Sequence, residues 1–186
     1  MRKITAGLFI AADGVVESPE QWHFPYFDAE MGAAVGAQLG AADTVLLGRV
    51  TYDTFADSWP AREAAGGDDA PMARALGDAR KVVVSNAELA FTWRNSEQLK
   101  GDLVEAVTAL KQEPGGPIGM SGSISVVRAL LAAALIDELH LYVHPIAVGR
   151  GVRLFDESAG PIRLKLLSNT VFATGVLHTV YGPADA

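Results

Sequence analysis

The 186-residue sequence contains no cysteine, and this absence excludes disulfide bonds, thiolate metal sites and cysteine nucleophiles together. Basic residues are also few, since 15 lysines and arginines stand against 22 aspartates and glutamates for a formal net charge of -7. An acidic chain is a poor non-specific binder of nucleic acid, because the phosphate backbone repels it. We therefore expect no nucleic-acid partner.

Long apolar runs are missing as well. No stretch approaches the roughly 18–20 apolar residues that a membrane-spanning helix needs. The segment Met1 to Asp13 superficially resembles a signal peptide, but its apolar part is short and no clear small-residue cleavage site follows. We expect no membrane association and a cytoplasmic location. The glycine fingerprints of the Rossmann fold and of the P-loop are also absent, which disfavours both nucleotide-binding architectures.

The sequence does contain a regular alternation of apolar strands and amphipathic helices. Strands are predicted over residues 4–12, 44–47, 80–86, 117–120 and 137–144, with helices over 28–39, 50–57 and 102–111 and around 124–131. Residues 163–174 and 176–181 predict a closing β-hairpin joined near Gly175. Residues 61–70, rich in alanine, glycine and acid, predict an exposed, mobile loop. This order predicts one α/β domain over residues 1–186, with a mixed, mostly parallel sheet flanked by helices and an antiparallel edge.

Three predicted strands end in polar or glycine-containing junctions, where ligands of open α/β sheets bind. In the most informative of them, a strand ends at Gly48, and Arg49 and Thr51 then open a helix. A helix N-terminus with an added cation is a good phosphate site. The other junctions are Ser85-Asn86 and the turn Ser121-Gly122-Ser123-Ile124. The first two predict a site for the 2′-phosphate of NADP, and the third predicts a pyrophosphate site.

Each junction also has a simpler interpretation. Arg49 could pair with Asp53 on the same helix, Ser85-Asn86 could be ordinary turn residues, and Ser121 or Ser123 could cap a helix. The coincidence of all three junctions at strand ends favours the functional interpretation.

These motifs together resemble the dihydrofolate reductase-like superfamily, and within it the small bacterial proteins related to the reductase (C-terminal) domain of riboflavin biosynthesis. The matching segments span most of the chain: 11–14, 46–52, 81–85, 121–123, 135–139 and 145–155. The resemblance implies a three-layer fold, NADPH as cofactor, hydride transfer to a small pterin-like, pyrimidine-like or carbonyl substrate, and a homodimer. A rival function is a non-catalytic nucleotide- or drug-binding protein that retains the reductase fold.

The resemblance also assigns positions in the cofactor site. Arg49, Thr51 and Ser85 match the 2′-phosphate contacts, and Gly122, Ser123 and Ile124 match the turn beside the pyrophosphate and nicotinamide. The strand and loop that flank the nicotinamide correspond to Ala11 and Val16. The sequence departs from the family's adjacent glycine pair, since it has Ser121-Gly122 there.

The substrate side depends on the segment Trp22-His23-Phe24-Pro25-Tyr26-Phe27-Asp28, which resembles the tryptophan–proline–aspartate stretch of the folate enzymes with one extra residue. In that alignment Asp28 binds substrate and manages the proton; alternatively, it only caps the following helix. His23 is a competing acid–base candidate, because its unperturbed pKa lies near neutrality. Trp22, Phe24, Tyr26 and Phe27 either line a pocket for a flat heterocycle or form the loop's own small core. Trp59 is a further candidate for that pocket, and we expect Asp13 to order a turn.

Two other chemistries are disfavoured. Gly119 to Ser123 falls one glycine short of a nucleophile elbow, and the late His178 lies inside the predicted hairpin. Glu138, His140 and His144 share one strand face, but positions 140 and 144 lie about 13 Å apart on an extended strand, too far to share one ion. We expect no metal. That face is instead predicted to be a polar or intersubunit surface, which would suit a homodimer.

Overall fold

A computed structural model describes residues 1–156 and 160–184 of the chain, and eight strands within these residues form one sheet. They are β1 (Ile4–Ala11), β2 (Thr44–Gly48), β3 (Arg80–Val84), β4 (Ser96–Gln98), β5 (Ile118–Ser121), β6 (Glu138–His144), β7 (Leu164–Val171) and β8 (Leu177–Pro183). Their order across the sheet is β4-β3-β2-β5-β1-β6-β8-β7. The first six strands in that order are parallel, whereas β8 runs antiparallel to β6 and forms a hairpin with β7.

Five α-helices connect the parallel strands: α1 (Ala29–Gly40), α2 (Arg49–Ala65), α3 (Ala70–Asp78), α4 (Leu103–Gln112) and α5 (Ile124–Ala132). Aspartates begin two of them, because Asp28 accepts from the N–H of Met31 and Asp102 accepts from the first N–H groups of α4. Two short 3-10 helices, Pro19–Gln21 and Phe24–Tyr26, lie before α1. Among the described residues, no helix is long and apolar enough to cross a bilayer.

The helices lie in two layers, one on each face of the sheet. Alternate residues of β2 separate these layers, since Leu46 packs with the side chains of α4 and α5, and Val45 and Leu47 pack with Tyr52 of α2 and Leu76 of α3. Helix α1 lies on the same face as α3, and its Met31 packs against Tyr142 of β6. The predicted three-layer fold, with a mostly parallel sheet and a C-terminal antiparallel hairpin, is thus confirmed.

The prediction of an exposed, mobile loop over residues 61–70 was correct in that most of these residues are exposed, but wrong for their secondary structure, because only residues 66–69 lie between helices. Helix α2 continues through Pro60 to Ala65, well beyond the predicted end near Asp57, and α3 begins at Ala70. Alanine, arginine and glutamate are good helix formers, so the composition that suggested a loop is also compatible with helix extension. Arg94 stabilises this arrangement by pairing with Glu63 at the end of α2 and with Asp78 at the end of α3.

Candidate functional site

The carboxyl ends of the parallel strands meet at one edge of the sheet, and β5 ends short of its neighbours there. Ser121, the last residue of β5, is opposite Gly7, whereas β1 continues to Ala11. The chain passes from β1 to β2 and only later inserts β5 between them. This notch at the end of β5 is therefore the kind of crevice in which open α/β sheets bind ligands.

Ser123 connects the starts of α2 and α5 at this notch. Its Oγ accepts a hydrogen bond from the N–H of Gly48 at 2.6 Å and donates one to Oγ1 of Thr51 at 2.9 Å. Gly122 and Ser123 both have positive φ, 74° and 63°, so two consecutive left-handed residues lead into α5. A Cβ on Gly122 would lie 3.5 Å from Oγ1 of Thr51, which shows how closely the two segments approach.

The backbone of this turn shows which of its positions favour glycine. Ser121, the position at which the sequence departs from a glycine pair, is an ordinary strand residue of β5. The second left-handed position is Ser123, a backbone conformation that glycine adopts with less strain. Ile124, the remaining residue of the turn, begins α5 and packs against the main core.

Helices α2 and α5 begin without a side-chain cap and without an acidic residue in their first turns. In contrast, α1 and α4 begin with Asp28 and Asp102 and have Glu30 and Glu105 in their first turns. The partial positive charges of the α2 and α5 N-termini are thus left uncompensated by acidic side chains beside the notch. This donor set fits the phosphates of a dinucleotide.

The remaining residues predicted to contact a phosphate, Arg49, Ser85 and Asn86, lie at the surface outside the junction of Gly48, Thr51 and Ser123. Gly48 and Val84 are register partners, so Arg49 and Ser85 each follow the end of neighbouring strands. Arg49 Nε lies 3.6 Å from Oδ2 of Asp53, and both side chains are exposed. The hydroxyl of Ser85 is held in a local turn with the backbone N–H and carbonyl of Ala87, and Asn86 is exposed. The structure therefore agrees with the two simpler interpretations, in which Arg49 pairs with Asp53 and Ser85-Asn86 are ordinary turn residues.

The two residues expected beside a nicotinamide, Ala11 and Val16, are buried. Hydrogen bonds connect the segment between them to residues 146–154. The N–H of Val16 donates to the carbonyl of Val152. Oδ2 of Asp13 accepts from the N–H of Gly149, and the Glu17 carboxylate accepts from the N–H of Val152. The hydrogen bond from Gly149 lowers the pKa of Asp13, so this carboxylate stays charged. Asp13 orders a turn, as predicted.

The aromatic segment before α1 is divided between the interior and the surface. The side chains of Trp22 and His23 are only 7% and 6% exposed, whereas Phe24 and Phe27 are 62% and 46% exposed. Trp22 donates from Nε1 to the carbonyl of Glu17 and packs against Ala11. Tyr26 is half-buried and packs beside the cluster around Met31. The interior half of the segment thus forms a small core, and Phe24 and Phe27 remain available to a ligand.

Asp28 caps α1, since its Oδ1 accepts from the N–H of Met31 at 2.9 Å. The capping alternative is confirmed, and a role of the half-buried carboxylate in binding substrate stays a prediction. Trp59 packs edge-on against Phe55 in the cluster between α2 and α3.

The prediction of a polar or intersubunit face on β6 was wrong. Tyr142 and His144 are 1% and 0% exposed, because α1, the aromatic segment and the hairpin cover that face within the chain itself. His140 forms a hydrogen bond with His178 of β8, which lies opposite Tyr142 and stacks on it. The alternation of side chains along β6 correctly placed His140 and His144 on one face of the strand. It could not indicate that other parts of the chain cover both faces of β6. The sequence therefore did not indicate that His144 is buried beside the aromatic segment.

Comparison with known proteins finds relatives that match nearly the whole chain. Two proteins of Bacillus subtilis, YyaP and YwjB, are 28% and 25% identical to it, over 97% and 96% of this chain and 94% and 98% of their own lengths. A solved structure from a Shewanella species, named for riboflavin biosynthesis, superposes with a TM-score of 0.75 at 19% identity, over 98% of this chain and 99% of the other.

Two further solved structures have the same fold. A pyrimidine reductase-like protein from Corynebacterium diphtheriae has a TM-score of 0.67 at 16% identity, over 100% of this chain and 93% of its own. The diaminohydroxyphosphoribosylaminopyrimidine deaminase/5-amino-6-(5-phosphoribosylamino)uracil reductase of Thermotoga maritima has a TM-score of 0.68 at 15% identity, over 98% of this chain but 57% of its own. The family model of the RibD C-terminal domain matches residues 2–178, and the chain therefore belongs to the RibD C-terminal domain family.

Proposed function

We propose that this protein is an NADPH-dependent reductase that transfers a hydride to a small heterocyclic substrate, pyrimidine-like or pterin-like, or to a carbonyl compound. The observation that carries this proposal is the junction of Gly48, Thr51 and Ser123, which joins two helix N-termini that have no acidic cap. The reductase activities in the names of the Corynebacterium and Thermotoga proteins support a pyrimidine-like substrate.

In this proposal different residues at the sheet edge bind different parts of the cofactor and the substrate. The N-termini of α2 and α5 bind the phosphates, Arg49 contacts the 2′-phosphate, and NADPH supplies the hydride. Ala11 and Val16 form the wall beside the nicotinamide, on a segment that Asp13 holds in place. For the proton there are two candidates, the carboxylate of Asp28 and the imidazole of His23, and both lie next to the exposed rings of Phe24 and Phe27.

Replacement of Arg49 by alanine tests the cofactor assignment. The lost charge-assisted hydrogen bond should weaken NADPH binding by about 1.5–3 kcal/mol, which corresponds to roughly 10- to 150-fold in Kd. NADH lacks the 2′-phosphate, so its Kd should change much less. Titration of both cofactors, followed by nucleotide fluorescence or calorimetry, measures the difference.

Arg62→Ala is the matched control, because it removes the same charge from the last turn of the same helix. It should leave both affinities unchanged. An equal loss for NADPH and NADH in Arg49→Ala would show that Arg49 does not contact the 2′-phosphate. Absence of measurable NADPH binding by the native protein at high micromolar concentration would overturn the proposed function.

A non-catalytic nucleotide- or drug-binding protein is the second candidate. It is favoured by two observations: Asp28 is engaged in capping α1, and burial lowers the pKa of His23. An assay of NADPH oxidation with a panel of pterins and aminopyrimidines separates the two functions, since only the reductase turns over.

We also propose that residues 1–186 act as one domain and that two copies associate through the edge strand β7. This strand is exposed along almost its whole length, and the hairpin presents apolar side chains at Leu166, Leu167, Val171 and Leu177. An exposed apolar edge strand tends to pair with another strand.

We expect light scattering after size exclusion to give the mass of a dimer for the native protein and of a monomer for Val171→Glu. The control Val104→Glu places the same change on an exposed valine of α4 and should remain dimeric. A native monomer at tens of micromolar would contradict this proposal.

A further inference from the structure

Two buried imidazoles, those of His23 and His144, lie beside each other where β1 and β6 end. Their ring centroids are 6.1 Å apart and their planes are nearly perpendicular. Each ring has one enclosed nitrogen without a hydrogen-bond partner, Nδ1 in His23 and Nε2 in His144. Buried polar atoms of this kind are rare in folded proteins, and an ordered water commonly satisfies them.

The protonation of His144 follows from its other nitrogen. Nδ1 lies 2.7 Å from the backbone carbonyl oxygen of Tyr142, and a carbonyl can only accept. Nδ1 therefore holds the hydrogen, and in the neutral ring Nε2 has only a lone pair. Burial lowers the pKa of both histidines, which keeps both rings neutral near pH 7.

The spacing excludes a direct bond between the two rings. His140 and His178, which are directly hydrogen-bonded at 3.0 Å, have centroids 5.2 Å apart. The His23–His144 pair is almost an ångström wider, and the edges and faces of Phe9, Trp22 and Tyr26 enclose it. Among these ring contacts, the two imidazoles each present one buried nitrogen that has no hydrogen-bond partner.

We propose that one buried water molecule bridges Nδ1 of His23 and Nε2 of His144, donates a hydrogen to each, and thereby fixes His23 as the tautomer that has its hydrogen on Nε2. A water has two hydrogens and the two rings then present two lone pairs, so every donor is satisfied. In the opposite tautomer of His23 the water would accept from Nδ1, and its second O–H would have no second imidazole lone pair to which it could donate. An unpaired buried donor of that kind costs about 1–3 kcal/mol.

This arrangement makes His144 a positioning residue and gives His23 a role in substrate recognition, which rests on the proposed function. The Nε2 atom of His23 is not enclosed, and the neighbouring rings of Phe24 and Phe27 are exposed. His23 therefore presents a neutral N–H donor beside two apolar surfaces. The complementary ligand is a flat heterocycle with a carbonyl oxygen or an unprotonated ring nitrogen at its edge.

Two-bond proton–nitrogen correlation spectra of protein labelled with ¹⁵N-histidine test the proposal, because they identify the tautomer of each ring. At pH 7.5 we expect the hydrogen on Nε2 in His23 and on Nδ1 in His144. The spectrum of the native protein decides by itself: a His23 with its hydrogen on Nδ1, or a mixture of tautomers, would overturn the proposal.

Two variants of His144 show whether the bridge is the cause. His144→Phe removes the acceptor and should convert His23 to a mixture of tautomers, whereas His144→Gln can place an amide oxygen near the former Nε2 and should preserve the native form. An unchanged His23 in a folded His144→Phe would overturn the positioning role. Adding NADPH to the same labelled samples separates the hypotheses, because failure to bind NADPH contradicts the proposed function and leaves the tautomer result intact.

Discussion

Replacement of Ser123 by aspartate should weaken NADPH binding about 30- to 1,000-fold and leave the protein folded. The added carboxylate would lie where the N-termini of α2 and α5 meet, and the hydroxyl that it replaces already contacts Gly48 and Thr51 there. A negative charge about 4 Å from a phosphate, with an effective dielectric constant near 20, costs up to about 4 kcal/mol. Partial screening by salt reduces this to about 2–4 kcal/mol, which gives the stated range.

The same substitution should not destabilise the fold. Ser123 has a φ of 63°, a conformation that aspartate and asparagine tolerate better than most residues. It also lies at the start of α5, where a negative charge interacts favourably with the helix dipole. We therefore expect the free energy of unfolding in urea to stay equal or to rise while cofactor affinity falls.

Ser123→Asn is the matched control, since asparagine has nearly the shape of aspartate, tolerates the same backbone conformation and has no charge. We expect it to weaken NADPH binding by less than about tenfold, the effect of one lost neutral hydrogen bond. If asparagine and aspartate weaken binding equally, the charge is irrelevant and the junction does not bind a phosphate.

Capping and periodicity made several elements predictable, because their signals are local. Asp28 and Asp102 begin α1 and α4 as predicted. The helix predicted around residues 124–131 is α5, whose buried residues Val126, Val127, Leu130 and Leu131 have the helical spacing. The hairpin followed from two alternating segments around Gly175. Each of these signals lies within about ten residues of chain.

Features that depend on distant partners were not predictable. Lys81 lies fully buried in β3 because its ammonium group donates to three carbonyls at the end of α3 and lies 4.3 Å from the ring of Trp93. The hydroxyl of Ser123 connects the starts of two helices through Gly48 and Thr51, which lie 75 and 72 residues earlier in the chain, and no local pattern indicates such a contact. A three-residue strand such as β4 has no apolar alternation and leaves no signal at all.

All four histidines of the chain have a pKa below the ordinary value, and burial is the main cause in each case. The largest shift belongs to His178, whose burial, followed by the proximity of His140, lowers its pKa from 6.5 to about 4. Nδ1 of His140 and Nε2 of His178 share one hydrogen bond at 3.0 Å. Protonation of both rings would bring two N–H groups together, so the folded protein resists it.

The free energy of unfolding should therefore fall as the pH decreases from about 6.5 to about 4. Above pH 6.5 His178 is neutral in both states and contributes no pH dependence. Below that pH His178 binds a proton in the unfolded chain but not in the folded protein. The free energy of unfolding therefore falls by about 1.4 kcal/mol per pH unit. Between pH 7 and pH 5, His178 alone should account for about 2 kcal/mol of lost stability.

Urea unfolding at pH 7, 6 and 5 measures this loss, and His178→Phe identifies its source. Phenylalanine keeps an aromatic ring against Tyr142 and removes the titration, so the difference in stability between pH 7 and pH 5 should shrink by about 2 kcal/mol. Thr108→His adds a histidine at an exposed position of α4, away from the His140–His178 pair, and should leave that difference unchanged. The carboxylates whose pKa is lowered in the folded protein, Asp13, Asp43 and Glu63, have ordinary values of 3.8, 3.8 and 4.5, so the stability that they contribute is lost mainly below pH 5 and adds little to the change between pH 7 and pH 5. An equal pH dependence in His178→Phe and the native protein would show that the buried His140–His178 pair is not the group that resists protonation.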